Sequence, residues 1–154
     1  MKKDTLYRAD DSAPLAKIRN FAFDEHVVPV FQDMISRSVP GYETMLRAIG
    51  VFGMKYAQEY TRLYDLGCSL GAVSFVLGEA TKDLHCIVLG IDNSEAMVKA
   101  ARERLAEQAV DNISIVHDDI ENITITNASV IVSNFTLQFI QRDKRKALIE
   151  KIFE

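Results

Sequence analysis

The run Asp65-Leu66-Gly67-Cys68-Ser69-Leu70-Gly71 combines residue types suited to holding a ligand where a strand hands over to a helix. Small residues there let the backbone approach a bound molecule closely, and the unpaired N–H groups of a helix start attract oxygen-rich groups. A dinucleotide loop asks for glycine at its first, third and sixth positions, where this chain has Gly67, Ser69 and Ala72. That fit is poor, and the bland alternative is a tight turn that binds nothing. Three polar positions farther on bear on the choice. Asp92 ends the next strand, where a carboxylate accepts hydrogen bonds from both hydroxyls of a ribose, or else caps the following helix. Asp119 follows a third strand and is placed to receive an adenine amino group, with Ile120 packing on the ring; the alternative is a surface-loop acid. Asn134 ends a fourth strand at the same edge, where its plain reading is to bond its own turn.

Apolar spacing supplies the frame that must hold these residues. Residues 1–22 are polar and aperiodic and read as a mobile N-terminal arm ahead of one domain over 23–154. From Asp24, Val27, Val30, Phe31, Met34 and Ile35 recur at helical spacing, and Pro29 confines the regular helix to the residues after it. Val39-Pro40-Gly41 breaks that helix, and Met45, Leu46, Ile49, Phe52 and Gly53 through Tyr56 predict a second. Strand and helix then alternate: strand 62–66, helix 71–80, strand 86–91, a helix from Asp92-Asn93-Ser94 to Ala106, and strands 113–116 and 128–132. This order predicts an α/β, Rossmann-like fold, a mostly parallel sheet with helices on both faces, preceded by two N-terminal helices. Ligands bind such sheets beyond the carboxyl ends of the strands, where the loop and all three polar positions fall. In 142–154, Leu148, Ile149, Ile152 and Phe153 have the spacing of one buried helical face. Four strands and an uncapped last helix read as a domain truncated after its fourth strand.

Composition narrows the function classes. A net charge of −4 gives no general attraction to nucleic-acid phosphates or anionic lipid. No apolar run approaches the roughly 20 residues of a membrane helix, and Met1 to Thr5 lacks the apolar stretch of a signal peptide, so a cytoplasmic protein without membrane contact is expected. Cys68 and Cys86 have no Cys or His partner pattern, and His26, His85 and His117 are scattered, so no disulfide framework and no metal ion are expected. Nothing near Cys68 would activate its thiol. The charge run Arg142 to Lys146 reads as a solvated helix face, with RNA contact as the alternative.

The acid two positions before the first glycine and the second glycine four later, Asp65, Gly67 and Gly71, resemble motif I of class I S-adenosylmethionine-dependent methyltransferases. Ser69 stands where the middle glycine usually does. Five stretches together are more specific: Phe23-Asp24-Glu25, Arg37-Ser38-Val39-Pro40-Gly41-Tyr42, Tyr64 to Ser69, Gly90-Ile91-Asp92-Asn93-Ser94 and Asn134-Phe135-Thr136-Leu137-Gln138-Phe139. They resemble the carboxy-S-adenosyl-L-methionine synthases of bacterial wobble-uridine tRNA modification, and the likeness spans nearly the whole chain.

The resemblance implies a class I methyltransferase fold, a homodimer, S-adenosyl-L-methionine as a substrate, prephenate as the second substrate, and a separate enzyme for the tRNA step, so no direct nucleic-acid contact. In that family prephenate loses its carboxyl group and the carbon ends on the S-methyl carbon, leaving phenylpyruvate and carboxy-S-adenosyl-L-methionine. The sulfonium makes the methyl acidic, so a transient ylide captures carbon dioxide that a closed site holds beside it and shields from water. Carried over by position, Tyr42, Gly67, Cys68, Ser69, Asp92, Asn93, Asp119, Ile120 and Asn134 would contact S-adenosylmethionine. Tyr42, taken without the family, is an aromatic that packs after a Pro-Gly turn, and Cys68 is expected to contribute its backbone. An arginine beyond residue 154 is implied to hold the carboxylated product, with prephenate contacts nearby, so no catalytic residue is assigned and a chain ending at Glu154 is expected to be inactive. Two other readings stay open: a conventional methyltransferase acting on a small molecule or RNA, and a non-catalytic domain that binds S-adenosylmethionine or a protein.

Overall fold

Four short aliphatic runs pair into one parallel sheet in the computed structural model, which describes residues 23–108 and 110–153. The expected arm over 1–22 lies outside the described residues. In chain order the elements are α1 (Val28–Ser38), α2 (Tyr42–Tyr56), β1 (Arg62–Leu66), α3 (Ala72–Ala80), β2 (Ile87–Asp92), α4 (Glu95–Gln108), β3 (Ile113–His117), β4 (Ala128–Val132) and α5 (Arg145–Phe153). Short 3-10 turns lie at Lys82–Leu84 and Leu137–Phe139. Pro29 falls in the first turn of α1, where its missing N–H has no intrahelical partner to lose. Regular helix therefore starts at Val28, one residue before Pro29 rather than after it, and ahead of it the carbonyl and carboxylate of Asp24 close a turn onto Val27 and His26.

The strand order is β3-β2-β1-β4, with each neighbouring pair parallel. The chain winds one way from β1 through β2 to β3, then returns to the other side of β1. The order thus reverses between β1 and β4, and in open α/β sheets the crevice beyond such a switch point is where ligands sit. Alternation along the strands sends Leu63, Val88, Ile113 and Ile115 to one face, against Val73 and Leu77 of α3 and Val98 and Ala101 of α4, with Leu46 and Ile49 of α2 beside them. Tyr64, Leu66 and Ile91 point to the other face, against Ile120 and Leu148 of α5. A third cluster, Val27, Leu70 and Met97, fastens the start of α1 to the glycine loop and α4. Leu63, Leu66, Leu77 and Met97 are wholly buried, each stabilising the fold by roughly 1.5–3 kcal/mol.

The last helix departs from expectation. It begins at Arg145 rather than Arg142, and of its four apolar positions Leu148 is 3% exposed whereas Ile149 and Phe153 are 42% and 85% exposed. Residues 148 and 152 share one stripe at i, i+4, and 149 and 153 lie about 100° around the helix from it. Only the first stripe meets the sheet.

Gly90 sits on the α3 face of β2, where a Cβ would lie 2.6 Å from Ser74 Oγ and 2.8 Å from Ile115 Cδ1. Gly90→Val is therefore expected to lower the unfolding free energy by about 1–3 kcal/mol through overpacking. The exposed Ile87→Ser should stay within about 0.5 kcal/mol of the native protein. Urea titration of both variants measures the difference, and equal midpoints would contradict this account of the sheet.

Candidate functional site

Beyond Leu66 the chain leaves the sheet and turns sharply. Gly67 has φ 79°, and a Cβ on it would lie 2.4 Å from Thr136 Cγ2. Thr136 Oγ1 donates to the Leu66 carbonyl at 2.6 Å, so the segment after β4 leans directly on the glycine loop. The N–H groups of Gly67 and Cys68 both donate to the Ile91 carbonyl, at 2.8 and 2.9 Å. Ser69, also left-handed at φ 50°, donates its N–H to Asp92 Oδ2 at 2.8 Å. The other oxygen of Asp92 accepts the Ser94 N–H at 2.9 Å. One carboxylate thereby joins the loop after β1 to the turn before α4. The capping itself is done by Ser94, whose Oγ accepts the Met97 N–H at 3.2 Å. Of the two readings of Asp92 this removes the helix cap: its carboxylate organises the turn, and Ser94 does the capping.

Asp119 Oδ1 accepts the Glu121 N–H at 2.9 Å, which fixes the loop after β3 and leaves Ile120 buried at 5% exposure against the α5 face of the sheet. At Asn134 the local turn is bonded by the backbone, whose carbonyl accepts from Thr136 Oγ1 at 3.3 Å. The carbonyl of Asn93 is met by a ring nitrogen of His117 at 3.1 Å.

All nine sequence-derived positions, Tyr42, Gly67, Cys68, Ser69, Asp92, Asn93, Asp119, Ile120 and Asn134, line one cavity of about 600 Å³. That volume is in the range of small-molecule sites. Its polar side carries three carboxylates, Asp65, Asp92 and Asp119, and among the described lining residues there is no Lys, Arg or His. Asp65 is 1% exposed and accepts a hydrogen bond from Ser74 Oγ at 2.7 Å. Burial pushes its carboxyl up to about 7, with the Asp92 charge adding to the rise and the Ser74 bonds opposing it. Burial, then Asp65, also raises the hydroxyl of Tyr42, while Arg104 opposes the rise. Burial and the charges of Asp65 and Asp92 hold the Cys68 thiol far above its ordinary range, which agrees with a backbone role and no nucleophilic one.

The apolar wall of this cavity was not legible in the sequence. Phe31, Met34 and Ile35 of α1 form part of it, and Phe139 closes against Phe23 edge to face at 5.2 Å between ring centres. The signal was the width of the α1 apolar face. Val27 and Val30 take up the buried part of that face, and Phe31, Met34 and Ile35 widen it toward the cavity.

Known proteins share both the sequence pattern and the architecture. A family model described as a methyltransferase domain matches residues 63–154. The carboxy-S-adenosyl-L-methionine synthases of Salmonella paratyphi C and Salmonella choleraesuis are each 43% identical to this chain over 153 residues, or 99% of it. The chain spans 60% of the length of these curated relatives. A solved Methanococcus maripaludis protein, described as an S-adenosyl-L-methionine-dependent methyltransferase, superposes with a TM-score of 0.68 at 23% identity, covering 87% of this chain and 61% of that one. Magnesium protoporphyrin IX methyltransferase from Synechocystis PCC 6803, with SAH bound, gives 0.61 at 19% identity over 73% and 50% of the two chains. At these identities the structural likeness concerns the fold, and it agrees with the expected Rossmann-like methyltransferase architecture. No helix among the described residues is long and apolar enough to cross a membrane.

The Asp65 carboxyl has an ordinary value of 3.8 and sits at about 7 in the folded protein, so the native state holds the proton more tightly than the unfolded chain. Its contribution to stability is complete below the unfolded value and is lost as pH rises through the folded one. Asp65→Asn stays neutral throughout. Its stability relative to the native protein should therefore increase from about pH 4 to about pH 7 and level off above. A difference independent of pH in urea titrations would contradict the burial of this carboxylate.

Proposed function

Because this chain belongs to the methyltransferase-domain family, we propose that its cavity binds S-adenosyl-L-methionine and that the whole protein is a carboxy-S-adenosyl-L-methionine synthase. The observation that carries the first part is the charge of the cavity: three carboxylates and, among the described lining residues, no basic side chain. S-adenosylmethionine is a nucleoside bearing a sulfonium and an ammonium group, so it brings positive charge to a site that lacks it. A dinucleotide would bring phosphates into the same acidic surroundings. The missing Cβ of Gly67 leaves room for Thr136, which holds the loop in the turn that borders the cavity.

In this reading Asp92 accepts the two ribose hydroxyls, each of its oxygens retaining a lone pair beyond the N–H group it already holds. Asp119 takes the adenine amino group and Ile120 one face of the ring. Asp65 sits nearest the cationic end, where a positive charge would stabilise its ionised form. Asn134 and Tyr42 border the reacting end. Replacing Asp92 by Asn is expected to weaken S-adenosylmethionine about tenfold, or about 1.4 kcal/mol, as read by calorimetry. An unchanged dissociation constant would remove Asp92 from the contact set.

The reaction proposed is that of the synthases to which the chain is 43% identical. S-adenosylmethionine and prephenate give carboxy-S-adenosyl-L-methionine, phenylpyruvate and water, the methyl proton and the ring hydroxyl of prephenate leaving as the water. Prephenate carries two carboxylates, and the described lining offers no cation to hold them. We therefore place its anion-binding groups outside the described residues, as the 60% span of the relatives allows. The exposed Val51, Phe52, Met54 and Tyr56 of α2 support the homodimer implied by the resemblance.

Mass spectrometry of the full-length protein with S-adenosylmethionine and prephenate tests the reaction. A product heavier by one carboxylate, with phenylpyruvate and no S-adenosylhomocysteine, is expected. Methylated product with S-adenosylhomocysteine would establish conventional methyl transfer instead, and binding without turnover a non-catalytic role.

A further inference from the structure

We propose that α5 positions the ligand without touching it, Arg145 setting the cavity wall beyond β4 and Lys151, with Lys144, setting the wall beyond β3. None of the α5 residues lines the cavity, yet the two loops that do are both held by its cations. Arg145 donates from Nε to the Ile140 carbonyl at 2.9 Å and from its terminal nitrogen to the Gln138 carbonyl at 3.3 Å. These two carbonyls flank Phe139, whose ring closes against Phe23. On the other side Lys151 Nζ donates to the carbonyls of Glu121 and Ile123, and Lys144 Nζ lies 2.8 Å from Glu121 Oε2. Glu121 directly follows the Asp119-Ile120 pair.

Carbonyls in loops have no ladder partner, and a buried or half-buried one must find a donor. Here the donors are cations, whose bonds are shorter and stronger than neutral ones. The planar fork of Arg145 spans two carbonyls at once and fixes their spacing, whereas an ammonium fixes mainly distance. The charge run expected to be solvated is thus divided by role. Lys146 pairs with its helical neighbour Glu150, both well exposed, while Lys144 and Arg145 reach back to the loops. Between the two grips Leu148, 3% exposed, seats the helix against the sheet. Since β3 and β4 are the outer strands of the sheet, the two gripped loops stand at opposite ends of the crevice. Each can therefore be loosened separately.

The inference rests on S-adenosylmethionine occupying the cavity with its adenosine toward Asp92 and Asp119. Calorimetry on the full-length protein with adenosine and with S-adenosylmethionine tests it. Lys151→Met should raise both dissociation constants about tenfold, whereas Arg145→Met should raise that of S-adenosylmethionine about tenfold and leave adenosine within about twofold. Lys151→Arg and Arg145→Lys, which keep the charge, should show the same pattern at smaller amplitude and serve where a methionine variant does not fold. If both positions weaken both ligands in equal proportion, or neither does, the inference is overturned. A native protein that binds neither ligand overturns the S-adenosylmethionine reading itself, so the two failures are distinct.

Discussion

A carboxylate in the middle of the sheet, supported by the hydroxyl and backbone of Ser74 and faced by no cation among the described lining residues, sets the terms for everything around the cavity. Asp65 lies on β1, the strand beside which the sheet order reverses, and its side chain points to the face where α3 packs. Ser74 reaches it from α3 only because Gly90 on the neighbouring strand has no side chain to stand in the way. Burial there raises its proton affinity, and the second carboxylate on Asp92 raises it further. An isolated protein must keep that charge partly quenched by a proton. A cationic ligand would offer a better quench, and on this ground we propose S-adenosylmethionine rather than a phosphate-bearing nucleotide as the occupant.

Around this centre the loops are fastened to one another. Asp92 bridges the glycine loop and the start of α4, Thr136 ties the segment after β4 to β1, and α5 holds the two outer loops by their carbonyls. Each of these bonds helps define the carboxyl edge of the sheet. Such an edge has no ladder to continue, so its geometry is set by side chains and can be specific.

Much of this was readable in the sequence because the governing signals are local. Strands 62–66 and 128–132 are bounded by polar and turn-forming residues and agree residue for residue with β1 and β4. The glycine loop and the polar residues at successive strand ends reached the same cavity because strand direction alone puts every carboxyl end on one side. What stayed hidden depends on which face meets what. Periodicity marked α1 as apolar but could not say that Phe31, Met34 and Ile35 face a cavity while Val27 and Val30 face the core. The same limit misread α5, where four apolar residues looked like one buried face and only the Leu148 stripe is covered. For Asp92, sequence offered capping or ribose binding; the hydroxyl of Ser94 two residues on takes the cap, a division no spacing rule could assign.

On the function proposed, the acidic cavity selects a cationic nucleoside. Competitive calorimetry at neutral pH on the full-length protein, with S-adenosylmethionine and with NADH, tests it most directly. Saturable binding of S-adenosylmethionine at one site is expected, and none of NADH at concentrations at least about a hundredfold higher, a margin of about 2.7 kcal/mol. NADH binding with equal or greater affinity at the same site would contradict it.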